Sequence, residues 1–109
     1  MAQNNYFSHE NLNGQDPTVR ASIKGYECSK DYGSYYTEGI VENIAITPIG
    51  NVMGCGSVYS NDEIARCTVS GWMESPGHRE NILTSTYDIQ GIGIAISKDN
   101  RIYVTEDFC

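Results

Sequence analysis

Residues 71–83 read GWMESPGHRENIL, and the Ser75-Pro76 step inside them organises everything around it. Serine is a preferred N-cap, and proline suits the first helical position, where its missing N–H would have been unpaired anyway. A short helix is therefore predicted over SPGHRENIL, residues 75–83. Upstream, Ser60-Asn-Asp-Glu63 has the form of a capping box, in which the Ser60 hydroxyl and the Glu63 carboxylate satisfy each other's backbone amides. From there Ala65, Val69, Trp72 and Met73 recur at i, i+4, i+7 and i+8, one apolar helix face, so Trp72 and Met73 are read as core.

Further out, VENIAITPI (residues 41–49) is rich in β-branched residues and bounded by glycines. It is predicted to be a strand with Pro48 near its end, where a missing N–H matters least. At the C-terminal side, IQGIGIAIS and RIYVTEDF alternate around Lys98-Asp99-Asn100, the pattern of a hairpin. Toward the N-terminus, Asp16-Pro17 starts a second helix that should stop at Gly25. Residues 1–16 read as the tail of a helix running into a polar loop, residues 27–40 as loop, and residues 50–59 as a glycine-rich connection carrying Cys55. Helices covering an antiparallel sheet make an α+β layered architecture. With 109 residues there is room for a single domain, 1–109.

Charge narrows the partners. Seven Lys and Arg against 14 Asp and Glu give a net charge of −7, and the basic residues are scattered. A nucleic-acid surface or an anionic-membrane patch needs a basic stripe, so neither is expected. No apolar run approaches the roughly 20 residues that span a bilayer.

Cys28, Cys55, Cys67 and Cys109 form no CxxC pair, which argues against a zinc site and for two disulfides in an oxidising compartment. Three connectivities are open. The expectation is Cys55–Cys67, closing a local loop, with Cys28–Cys109 pinning the C-terminus to the middle of the chain.

NYFSHEN, GYECSK with VENIA, GWMESPGHRENIL, and GIGIAI with YVTEDF resemble, in order and over nearly the whole chain, the bacterial and archaeal branch of the CAP superfamily. The resemblance implies an α-β-α sandwich with an antiparallel sheet between helical layers. It also implies an extracellular or cell-surface setting and a cleft of two histidines and two acidic residues that holds a divalent cation in some members. Carried over, the histidines are His9 and His78 and the first acidic residue is Glu42, with Val41 replacing the usual preceding glycine. The second acidic position falls on Ser75, with Glu74 one residue before it, so both are candidates. Members also begin with a helix that is missing here. The chain is thus expected to be N-terminally incomplete, its apolar face left bare or covered by a second copy in a homodimer.

His9, His78 and Glu42 are suitable ligands for Zn²⁺ or a similar ion, with Ca²⁺ as the other candidate. On residue types alone, His78 and the Glu42-Asn43 pair could equally tie strand, helix start and loop together. No serine lies in a G-x-S-x-G elbow, and paired cysteines supply no nucleophile. Tyr26, Tyr32, Tyr35, Tyr36 and Tyr59 gather near the irregular middle and could bind a ligand or cap the core. The functional expectation is a binding module rather than an enzyme, its ligand an ion, a lipid or a partner protein. Two alternatives are a metal-assisted hydrolase with Glu42 as general base, and a purely structural domain of a cell-surface protein.

Overall fold

The structure, a computed structural model, describes residues 1–109. In chain order it contains α1 (Pro17–Ile23), β1 (Ser29–Asp31), β2 (Tyr36–Glu38), β3 (Val41–Pro48), β4 (Gly50–Val52), β5 (Gly56–Val58), α2 (Asn61–Glu74), α3 (Pro76–Leu83), β6 (Gln90–Ile96) and β7 (Arg101–Phe108). The fold is α+β. Its main sheet has the order β3-β7-β6, antiparallel throughout, and β7 is central. The β3–β7 register runs from Val41 opposite Phe108 to Pro48 opposite Arg101. Pro48 ends an outer strand, as its missing N–H requires.

Strand alternation divides the sheet's two faces. Asn43 and Ala45 of β3 share a face with Ile102 and Val104 of β7, and α2 and α3 pack there. Trp72 joins Ile102 and Val104 in the buried core, flanked by Ala45, Ile49, Ile64 and Ile82. The indole Nε1 of Trp72 donates to the Ile44 carbonyl at 3.0 Å, pinning α2 to β3. On the opposite face lie Glu42 and Asp107, with α1 against β3. Thr18 Oγ1 accepts from the Ile40 amide at 2.9 Å and holds α1 there.

The local signals behave as their chemistry demands. Asp16 accepts from the Val19 amide, and Gly25 takes a φ of +81° just past α1, a conformation that costs glycine little. Both bonds of the Ser60–Glu63 capping box are present. The disulfides are Cys28–Cys109 and Cys55–Cys67.

Three segments depart from the sequence reading. Residues 1–16 contain turns and no helix. The side chain of Asn11 accepts from the amides of Asn13 and Gln15, giving the backbone a local partner other than a helical carbonyl. Residues 27–40 include the β1–β2 hairpin, closed by Asp31 Oδ1 accepting from Gly33 N at 2.8 Å and by a Tyr32–Tyr35 ring stack. Residues 50–59 include the β4–β5 hairpin, which Cys55–Cys67 ties to α2.

Beside β6 the α2 side of the sheet is open. Ile92, Ile94 and Ile96 are each about three-fifths exposed and, with Val69, Trp72 and Ile102, line an apolar groove of about 280 Å³. Glu106 lies at this groove, and burial pushes its carboxyl above the ordinary value. No helix is long and apolar enough to cross a membrane.

Candidate functional site

Glu42 is the fixed point of the site. Its side chain is only 2% exposed, and an acidic group so deep in the protein requires compensation. The compensation comes from two directions. His9, on the N-terminal loop, places Nδ1 2.9 Å from Oε1. Arg20, in the last turn of α1, donates from Nη2 to Oε2 at 2.6 Å. The same guanidinium donates from Nη1 to the main-chain carbonyls of His9 at 2.6 Å and Gln15 at 3.0 Å. Arg20 thus fastens the His9 loop, α1 and β3 with one planar fork.

Asp107 lies directly across the β3–β7 ladder from Glu42 and on the same face. Its Oδ1 is buried and has no hydrogen-bond partner. Burial, a hydrogen bond toward Glu42 and the Glu42 charge together push the Asp107 carboxyl up to about 7, against a smaller opposite pull from Arg20 and His9. Because the folded-state value is raised, this residue's contribution to stability is complete in acid. It is lost as pH climbs from the unfolded value near 4 through about 7. Asp107→Asn is therefore expected to raise the melting temperature at pH 8 and to leave it unchanged at pH 4. Each recovered kcal/mol should appear as about 4–8 °C in thermal scans at the two pH values. An equal effect at both would remove the carboxyl's charge as the cause.

His78 occupies the first turn of α3, on the other side of β3. Its Nδ1 is 2.8 Å from Ser75 Oγ, and its ring lies nearly parallel to that of Trp72 with centroids 6.5 Å apart. The His78 carbonyl accepts from Asn43 Nδ2 at 3.1 Å, while Asn43 Oδ1 accepts from Asn81 at 2.9 Å. Adjacent residues of one outer strand therefore serve both sides: Glu42 receives His9, and Asn43 holds the His78 turn. Ser75 has the N-cap position of α3, yet its hydroxyl makes no cap bond and is turned to the imidazole instead. Of the two candidates for the fourth position, Ser75 touches a histidine. Glu74 is exposed and makes no side-chain hydrogen bond or ion pair.

The predicted cluster is thus two pairs, His9–Glu42 and Ser75–His78. No group of three or more His, Cys, Asp or Glu side chains stands close enough to hold a metal ion. Each oxygen of the Glu42 carboxylate already has a partner, His9 on one and Arg20 on the other, so its charge is compensated within the protein. The imidazoles fit better: each uses Nδ1 internally and makes no hydrogen bond through Nε2. That is the arrangement in which metal-binding histidines are usually oriented by a second group.

Arg20 and Asp107 were not found as site residues from sequence. Arg20 reads as a basic residue closing a short helix, with nothing to point it inward. Asp107 shares a strand face with Tyr103 and Thr105 by simple alternation, but only the β3–β7 register sets it against Glu42.

The chain is a disulfide-crosslinked α+β domain with two oriented imidazoles, one on either side of an outer strand. The chain belongs to the cysteine-rich secretory protein family, CAP, whose sequence model matches residues 1–108. Comparison with curated proteins and with solved structures gave no match.

Proposed function

We propose that this chain is an extracellular, non-catalytic binding module that takes a borderline divalent cation such as Zn²⁺ through the imidazoles of His9 and His78. The observation behind this reading is the orientation of each ring: Nδ1 is engaged, by Glu42 or by Ser75, and Nε2 has no partner in the protein. Neutral imidazole is a strong ligand for Zn²⁺; the Glu42 carboxylate at Nδ1 of His9 selects the tautomer that offers Nε2, and the Ser75 hydroxyl orients the His78 ring with Nε2 outward. Two disulfides support an oxidising compartment.

Isothermal titration with Zn²⁺ at neutral pH tests it. Binding is expected for the wild type, lost in His9→Ala and in His78→Ala, and weakened about 10–100-fold in Ser75→Ala, which removes only the orienting group. Absence of heat with the wild type, or an affinity indifferent to both histidines, would end the reading.

One observation favours a hydrolytic alternative: Asp107, titrating near neutrality beside Glu42, could exchange a proton with a substrate. Glu42 itself already pairs with His9 through one oxygen and accepts from Arg20 on the other, so its charge is compensated and it makes a weaker general base. Peptidase and esterase panels with Zn²⁺ and with chelator separate this alternative from simple binding. The apolar groove beside β6 shares no residue with the two histidine pairs, so a lipid or protein partner seated there would use a different surface.

A further inference from the structure

We infer that the Cys55–Cys67 bridge is a thiol-exchange site, at which a low-molecular-weight thiol such as glutathione attaches to Cys55 while Cys28–Cys109 stays closed. The site shares no residue with the two histidine pairs, so it stands whether or not they hold an ion.

The two bridges have opposite surroundings. Cys109 is only 6% exposed, and both its amide and its carbonyl are bonded to Ile89. Cys55 is exposed at the turn of the β4–β5 hairpin, between Gly54 and Gly56. At either glycine no neighbouring atom lies within 4 Å of where a β-carbon would stand, and Met53 beside them is fully exposed. Cys67 is half-buried on α2. A thiol arriving from solvent therefore reaches Cys55, and Cys67 is the sulfur that leaves.

In the exchange, the thiolate of the small molecule gives its electron pair to Cys55 Sγ and a new sulfur–sulfur bond forms. The Cys55–Cys67 bond breaks, and its electron pair departs with Cys67 Sγ, which can then take a proton from water. One disulfide replaces another, so neither an oxidant nor a reductant is consumed. A hollow of about 100 Å³, lined by Cys55, Glu63, Arg66, Cys67 and Ser70 among others, opens at the bridge. Arg66 is its one cation, and a thiolate beside an arginine is stabilised and leaves faster. The Glu63 carboxylate in the same hollow is engaged by the Ser60 amide at 3.0 Å.

The fold tolerates the opening. Of residues 50–58 only Val58 is buried, and the core of Trp72, Ile102 and Val104 draws on none of the hairpin's other side chains. A group carried on Cys55 stands in solvent and displaces nothing packed.

The experiment treats the oxidised chain, without denaturant, with millimolar reduced glutathione at about pH 8, where an ordinary thiol is partly ionised. Quenching with an alkylating agent traps Cys67 before it can reclose the bridge, and peptide mass mapping locates each group. Glutathione is expected on Cys55 and the alkyl group on Cys67, with this bridge opening about tenfold or more faster than Cys28–Cys109. Arg66→Gln, at a side chain that makes no hydrogen bond or ion pair, is expected to slow the exchange about three- to tenfold, and Arg66→Lys to keep the wild-type rate. The far-ultraviolet circular dichroism of the adduct should match that of the untreated chain. Equal opening of the two bridges, glutathione arriving first on Cys67, Cys28 or Cys109, or an adduct that forms only in urea overturns the inference. Loss of the dichroism on modification overturns it as well, and an Arg66→Gln rate equal to wild type removes the part given to Arg66.

Discussion

Replacing Cys28 and Cys109 together by alanine is expected to lower the unfolding free energy by about 4–5 kcal/mol, read as a drop in the urea midpoint. The bridge joins residues 81 apart in sequence, and loop-closure entropy in the unfolded chain makes so long a crosslink worth roughly that much. Only 13 of the 109 residues are buried, so the core alone has little surplus to absorb the loss. A typical small domain holds about 5–15 kcal/mol in total, which would leave the variant near the edge of folding. The bridge also positions backbone. The Cys109 carbonyl accepts from the amides of Asp88 and Ile89, and its own amide donates to Ile89 at 2.9 Å. The Cys55–Cys67 pair, separated by 12, provides the internal comparison, with about 3 kcal/mol expected from the shorter loop. If removing the short bridge proved the more damaging, local packing at α2 rather than chain entropy would be the controlling factor.

The second large effect belongs to Trp72. Trp72→Ala should cost about 3–5 kcal/mol, because it empties the centre of a core cluster of three buried residues. Trp72→Phe separates the causes. It keeps most of the apolar surface and deletes only the Nε1 bond to the Ile44 carbonyl, so about 1 kcal/mol is expected. Since Trp72 is the sole tryptophan, unfolding must be followed by circular dichroism rather than indole fluorescence. Trp72→Ala should also weaken Zn²⁺ binding more than Trp72→Phe does, because the ring lies against His78. Equal losses from both variants would show that the hydrogen bond, and not the packed ring, is decisive.

Much of the main architecture could be read from the chain because its signals are local. The Asp16-Pro17 and Ser75-Pro76 steps, the Ser60–Glu63 box and the alternation of residues 90–108 each involve neighbours a few positions apart. The short hairpins could not be read in this way. β1–β2 and β4–β5 have strands of three residues each, too few for a period to declare itself. At the site, His9 and Glu42 were recognised through family resemblance and do meet. Their charge partners were not recognised. Arg20 reaches Glu42 across 22 positions and Asp107 reaches it through sheet register, and neither relation leaves a trace in local sequence. Ser75 was half legible. Its position before a proline announced a helix cap, and the structure turns the hydroxyl to His78 instead.

The Cys28–Cys109 bond also decides how the molecule carries load. Tension applied between the first and last residues travels along residues 1–28, crosses the sulfur–sulfur bond and arrives at residue 109, bypassing everything between. The three-stranded sheet, α2, α3 and the second bridge hang outside the line of force. Such a chain, pulled from its ends, can lengthen only by what residues 1–28 release, roughly 90–100 Å end to end when fully drawn out. The His9 loop and Arg20 lie on the stretched portion, whereas His78 and Ser75 lie on the sheltered one. Mechanical strain would therefore draw His9 away from Glu42 while leaving His78 against Ser75.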